Sequence, residues 1–507
     1  MPTYRYCAYP EAKVVDDEGN QIQHLLWGDW VRVEDDPPHE GWHRVHCRGV
    51  DGWLHEDDLQ DERLLEIVFV DVGQGDGCLI VTPRDEHLIV DAGISDNMFR
   101  FLKWRYAGFK KRWTFKAAVI THPDQDHYAG FEPLFAHENI HFGAVYHNGV
   151  MEEWSPNLGP SRKVGDRRYL THVVQTREDL AAFLAEEKRW KKASGNRTSY
   201  KQYPRLFHGL LEAGRTGDVR MLWTEAGQRH WMPGFGESAS LSIEVLGPIL
   251  ESVEGQSALR AFGDKPTSRS LDVGKTKNGH SVVLKVKYGD ISLLLGGDLN
   301  RSAEHFLLGQ YSGLDHDYPY SAAEEDAIVA AARSTFAVDV VKSCHHGSAD
   351  VTDAMLRALD PAVIVVSSGD EESHAHPRPE TLGALGRYGR GRRPLLFSTE
   401  LMRSTRENEG DARERVGRLR ERIASAANEE SRRTLQSELD ALVDELTKRN
   451  VTVYGAINLR TDGRKILMAY KLERERTGQS GGRKLLTKWD TYRLEKAGTG
   501  PVVYESV

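Results

Sequence analysis

The chain of 507 residues has only four cysteines, Cys7, Cys47, Cys78 and Cys344, and no two of them form a CxxC pair. That scarcity excludes a disulfide framework and a thiolate zinc site, and fits a reducing cytoplasm. No run of about 18 apolar residues occurs, so no membrane span is expected. The opening MPTYRYCAYPEAK lacks a basic segment followed by an apolar one, so no secretory signal is expected. A surplus of positive charge is missing too. The formal net charge of -9 argues against a general nucleic-acid binder. Basic charge is concentrated locally instead. The stretch Arg100 to Lys116, RFLKWRYAGFKKRWTFK, and the stretch 483–493 mix Lys and Arg with aromatic residues. Such a mixture suits phosphate contact with base stacking, and equally a helix with a cationic face and aromatics in the core.

Against these absences stand blocks of strand texture, and the length implies two to four structural units. Residues 1–60 hold short alternating aromatic runs, DWVRVEDD, GWHRVHC and VDGWLHEDDL, broken by Gly, Pro and Asp. Their order resembles the bacterial Src-homology-3-like barrel. Strand alternation places His43, His46 and Cys47 on different faces, so they read as ordinary barrel residues. From Leu64 the segment LLEIVFVDVGQGDGCLIVTPRDEHLIVDAG predicts three strands, followed by a basic helix over about 97–111 and the strand FKAAVI. Residues 150–240 are polar and read as an insertion or lid. Strands alternating with helices resume to about residue 400, which predicts an α/β layered unit over 64–400. Apolar residues at Val416, Leu419, Ile423 and at Leu435, Leu439, Leu442 predict a long amphipathic helix over 405–450. A β-hairpin turning at Asp462-Gly463 and a basic tail fill 451–507.

The densest chemistry is ITHPDQDHYAG, residues 120–130. His122 and Asp124 are two apart on extended backbone and share one side; Asp126 and His127 follow as a helix begins. Two such pairs can hold two cations about 3.5–4 Å apart. Imidazole plus carboxylate suits zinc, manganese or iron, with added oxygen ligands favouring manganese. Further candidates stand at strand ends elsewhere: Asp298 in LLLGGD, His345 and His346 in VKSCHHGS, and His374 and His376 before Pro377.

Together, FVDVGQGDGCLI, LIVDAG, ITHPDQDHYAG, LLLGGD, KSCHHGS and SSG…HP resemble the metallo-β-lactamase fold, from about Glu66 to Leu385. In particular they resemble the hydrolase domain of ComEC-type DNA-uptake proteins, without the membrane channel. The resemblance implies an αββα sandwich and two divalent metal ions, zinc or manganese, held by His122, Asp124, Asp126, His127, Asp298 and His345. Asp298 would bridge the two ions. It implies that Asp91 orients ligand histidines and that Asp71 and Asp76 border the cleft, the alternative for DVGQGD being a glycine turn between strands. His346 and His376 read either as contacts to substrate or a developing oxyanion or as packed caps of their loops. Where many members place a histidine before the Asp298 strand, this chain has KNGHSVVL, with Asn278 in place and His280 as a substitute. Asp124 likewise stands where histidine is commoner. His137, His141 and His147 match no motif and read as structural.

The function expected is hydrolysis by metal-activated water, with Asp76, Asp126, Asp298, His346 and His376 as catalytic candidates. The favoured substrate is a phosphodiester in single-stranded or fragmented DNA or RNA. The alternatives are a small-molecule hydrolase of lactones, thioesters or β-lactams, and a defence or interaction module activated by a protein partner through the barrel or the C-terminal helix.

Overall fold

The computed structural model describes residues 3–35, 37–194, 197–263, 271–314, 320–369, 375–399, 410–426, 428–450, 456–477, 483–496 and 500–504. His374 and the beginnings of the 405–450 and 451–507 segments lie outside them.

Thr3 to Gln60 form one antiparallel seven-stranded sheet. It curls around a small apolar core that includes Cys7, Val14, Leu25, Val31, Val45, Cys47 and Leu54. His43 pairs with Glu56 at 2.6 Å and His46 with Asp51 at 2.8 Å, so neither is directed at a shared ligand.

The central unit is built on two sheets. The first runs, in spatial order, Thr216–Met221, Ile140–His147, Trp113–Val119, His87–Ala92, Gly77–Val81, Leu65–Phe69, Ile457–Thr461, Ile466–Thr477, Arg483–Lys496 and Val502–Tyr504. The second runs His230–Trp231, Leu241–Gly247, Val283–Tyr288, Ile291–Leu295, Val340–Lys342, Val363–Val366 and Leu395–Ser398. Strands such as GCLIV and VIVV are buried along their whole length. Uninterrupted apolar sequence is what a strand covered on both faces requires. Between the sheets pack Ile67, Phe69, Ile80, Val119, Ile243, Leu284, Leu293, Val340 and Val363. Helices cover the outer face of each sheet, through clusters centred on Phe101, Phe131 and Phe207 on one side and on Leu307, Ile328 and Met355 on the other. No helix among the described residues is long and apolar enough to cross a membrane.

Several segments lie where local sequence did not place them. Within 150–240, the strand Thr216–Met221 extends the first sheet beside Ile140–His147. The helix Gln202–Ala213 packs on the helix Phe131–Ala136 and buries Tyr203 and Phe207. That part of the segment is core rather than lid, because its apolar face is needed to cover the sheet. The C-terminal strand Ile457–Thr461 pairs antiparallel with Leu65–Phe69, so the hairpin continues the first sheet. Its turn docks on the second sheet, where the Asp290 amide donates to the Gly463 carbonyl at 2.7 Å. A Cβ on Gly289 would stand 2.6 Å from that carbonyl oxygen, so only glycine permits the approach.

In place of one helix over 405–450 there are two, Gly410–Ala424 and Glu429–Asn450. Val416, Leu419 and Ile423 face Leu439, Leu442 and Val443. Asn428 accepts from the Ser431 amide at 2.8 Å and caps the second helix, which fixes the break.

The basic stretch Arg100 to Lys116 spends most of its aromatics on packing. Phe101, Phe109 and Phe115 are buried, and the Tyr106 and Trp113 rings stand 4.3 Å apart. The helix itself spans Asn97–Arg105. Arg105 binds Glu66 through both terminal nitrogens, at 2.9 and 2.6 Å, while Lys110, Lys111 and Arg112 remain exposed. In the C-terminal stretch, Trp489 is buried against Leu26 and Leu467.

Candidate metal centre

The centre lies where strand ends of the two sheets meet. The strand Trp113–Val119 delivers Thr121 and His122 into the interior. Thr121 is tied down by Asp91, which accepts from its amide at 2.8 Å and its hydroxyl at 2.7 Å. Asp91 also takes the Nδ1 proton of His127 at 2.8 Å. That bond fixes the ring so that its Nε2 faces the cavity, which is how a carboxylate orients a ligand imidazole. Asp91 holds this place with φ of 56°, a left-handed backbone that costs a non-glycine residue about 1 kcal/mol or more.

The glycine turn of DVGQGD is more than a connection between strands. The Asp76 amide donates to the Asp126 carbonyl at 3.2 Å. A Cβ on Gly75 would fall 1.7 Å from that same oxygen, so glycine at 75 is what lets the turn close over the His122–His127 loop. Asp71 accepts from the Gly73 amide at 3.0 Å and shapes the turn.

Around Asp298 the imidazoles converge. Its Oδ1 lies 3.2 Å from His127 Nε2, and its Oδ2 lies 3.2 Å from His346 Nε2, 3.8 Å from His345 Nε2 and 3.9 Å from His122 Nε2. His346 Nε2 is also 3.5 Å from Asp126 Oδ2 and 3.3 Å from His127 Nε2. The side chains of Asp76, His127, Asp298 and His346 form one compact group, with ligand-type atoms all within 4.8 Å of one another. His346, expected as a substrate contact, is thus deeper than His345, the expected ligand. Its Nδ1 faces the Ser367 carbonyl at 3.1 Å and Asp76 at 3.2 Å. Both histidines have left-handed backbone, φ 49° and 53°.

Electrostatics follow from this crowding. Burial would pull His127 and His346 toward neutrality. The Asp298 carboxylate outweighs it, joined by Asp91 for His127 and Asp76 for His346, and both imidazoles are held well above their ordinary value. Burial works against ionised Asp298 as well, yet the surrounding imidazoles keep its carboxyl well below the usual range. The place is one where positive charge is strongly favoured. Asp124 is exposed to burial too, but His122 and Lys277 beside it bring it to about 2.

These residues fit a divalent cation. Two ring nitrogens 3.3 Å apart beside one carboxylate match the roughly 3.4 Å separation of ligand atoms in a tetrahedral shell. His122 Nε2 is buried with no hydrogen bond among the described residues.

Not every candidate joins the centre. His280 turns Nε2 to the Arg260 carbonyl at 2.6 Å, packs on Phe262, and is pulled down to about 4 by burial. The expected substitute for the missing histidine is therefore directed away. Asn278 contributes its backbone carbonyl, which accepts from Ser281 Oγ at 2.8 Å; Ser281 Oγ in turn accepts from the Asp298 amide at 3.0 Å. His376 stands at the rim, its ring 5.7 Å from that of His345. With His345, Ser348, Asp350, Arg378 and Glu380 it lines an open cleft of about 660 Å³. His147 is fully buried, edge-on to Phe207, and pushed down to about 3 by burial, so it stays neutral and structural.

Two lysines were missed by sequence reasoning. Lys342 is buried, pairs with Asp76 and donates to the Gly297 carbonyl at 3.1 Å. Its signal was available, since a lysine inside the apolar strand VVK must have a buried partner. Lys277 pairs with Asp124 and donates to Glu152 and the Pro123 carbonyl, each at 3.3 Å. Nothing in its local sequence marks it.

A family model for the metallo-beta-lactamase superfamily matches residues 70–367, more than half of the chain. The chain belongs to that superfamily. No curated protein matches it. Members of the superfamily are mostly hydrolases, and the Asp and His group described above is this member's candidate metal site. Asp91 is not one of that group and acts on it through His127. Asp91→Asn is expected to weaken metal binding by about 10–100-fold, the scale for removing a carboxylate that orients a ligand histidine. Equilibrium dialysis of the folded variant against zinc or manganese measures it.

Proposed function

We propose that this superfamily hydrolase cleaves phosphodiesters of DNA or RNA. The observation that carries the reading is that the metal centre opens, past His345, onto an exposed cleft whose mixed rim holds Arg378 and His376 beside Asp350 and Glu380. Lys275 and Arg301 approach that Asp350 at 4.0 and 3.8 Å. A phosphate entering the cleft meets Arg378, His345 and His376.

The residues that would hold the cation are Asp126, His127, Asp298 and His346, with Asp76 completing the compact group. What a divalent cation supplies when bound is Lewis acidity and a water acidified toward neutral pH. The remaining work belongs to the protein. Asp126 and Asp298 orient the attacking water, whose proton passes to solvent through the open cleft. Arg378 neutralises the phosphate. His345 and His376, at the rim, are placed to donate to the oxygen that leaves. Asp91 and Thr121 keep the His127 ring fixed throughout.

The test is cleavage of single- and double-stranded DNA and RNA by the purified chain with manganese and with zinc, beside a lactone and a thioester. Nucleic-acid cleavage that stops on chelation is the expected result. Turnover of the lactone or thioester with no phosphodiester cleaved overturns the reading.

A further inference from the structure

Asp76, His127, Asp298 and His346 form one compact inner group, and the outer pair, His122 and Asp124, is not part of it. Its expected nitrogen partner is missing, because His280 is turned to the Arg260 carbonyl. On the Asp124 carboxylate there is instead an ammonium, that of Lys277. This is no loose surface lysine. Its side chain is 12% exposed, and its three N–H groups have three acceptors, Asp124, Glu152 and the Pro123 carbonyl.

We propose that the centre holds one divalent cation rather than two, and that the Lys277 ammonium takes the place of the second. The inference rests on the metal-dependent hydrolase reading and deepens it. A dication at the outer position would have to share Asp124 with a fixed like charge, with His122, Asp298 and the rim histidine His345 as its other neighbours. Lys342 likewise pairs with Asp76 at the inner position, but four other groups, His127, His346, Asp126 and Asp298, remain there close enough together to share one cation. The functional consequence is a division of labour. Lys277 supplies positive charge beside Asp124 without coordinating or acidifying a second water.

Metal stoichiometry tests this without any substrate. The full chain is stripped with a chelator, dialysed against manganese or zinc chloride, and its bound metal measured by mass spectrometry. One equivalent per chain is expected, with the paramagnetic resonance spectrum of an isolated manganese ion. His122→Gln should keep that equivalent. Lys277→Gln frees Asp124 and should bind a second ion, with an exchange-coupled spectrum. Two equivalents in the unaltered chain overturn the proposal, as does a folded Lys277→Gln chain that still holds only one. Should the variant not fold, the count in the unaltered chain decides alone. A chain that binds one ion yet cleaves no phosphodiester refutes the substrate reading and leaves this inference standing.

Discussion

Asp298→Asn should lower hydrolysis by at least about 10²–10³-fold, the scale for removing one electrostatic stabiliser from a reacting centre. The size follows from how much one side chain serves. Four imidazoles stand within 3.9 Å of the two oxygens of Asp298, and no other carboxylate among the described residues has so many. Asparagine removes the charge and presents an N–H group to a ring nitrogen where an acceptor is needed. Bound metal should fall together with kcat. Unchanged unfolding temperature and near-ultraviolet circular dichroism would show that the fold survives. A folded variant keeping a tenth or more of the activity would place the chemistry elsewhere in the chain.

The second large effect concerns stability and lies far from the chemistry. Glu66 is buried between Arg105, at 2.6 Å, and Arg460, at 2.8 Å, and Arg460 also reaches Asp29 of the N-terminal sheet at 3.4 Å. One carboxylate thus ties together the helix Asn97–Arg105, the C-terminal strand and the barrel-like unit. Glu66→Ala removes the carboxylate shared by two buried guanidinium groups, leaving Arg460 only its longer contact to Asp29, a change expected to cost about 3–5 kcal/mol and to lower the unfolding temperature accordingly. The same group predicts a pH dependence. Burial alone would raise its pKa, but Arg105 and Arg460 outweigh burial and bring it down to about 2 from an ordinary 4.5. A depressed carboxylate contributes fully above its unfolded value and loses that contribution as pH falls through the folded one. The stability it confers is therefore complete above about pH 4.5 and fades toward about pH 2. Denaturation scans should show the unaltered chain losing more stability across that window than Glu66→Gln. Equal losses would mean that the ion pairs contribute nothing.

Much of the centre was legible because ligand-type residues were clustered at the ends of buried strands. ITHPDQDHYAG, LLLGGD and KSCHHGS each combine an apolar run with His or Asp at its end, and a strand end on an α/β sheet is where side chains from distant sequence meet. The roles within KSCHHGS were less legible. Strand alternation assigns neighbouring residues to opposite faces only while the backbone is extended. At His345 and His346 it is left-handed at both, so the fold, not the pattern, decides which ring goes inward. Lys277 was hidden for a related reason. A lysine has no local signature for burial; its meaning comes from Asp124 and Glu152, more than a hundred residues away.

By itself the sequence determined that this protein is a layered α/β chain with a His and Asp centre at its strand ends, preceded by a small β unit. Apolar periodicity and clustered ligands are local properties, and local properties can be read along a chain. Tertiary structure alone decided that the C-terminal hairpin completes the first sheet, that much of 150–240 is core, that His280 turns away and that Lys277 sits on Asp124. Each of these is a pairing between remote segments. Such pairings depend on which edge, face or carboxylate is left unsatisfied once everything else has packed.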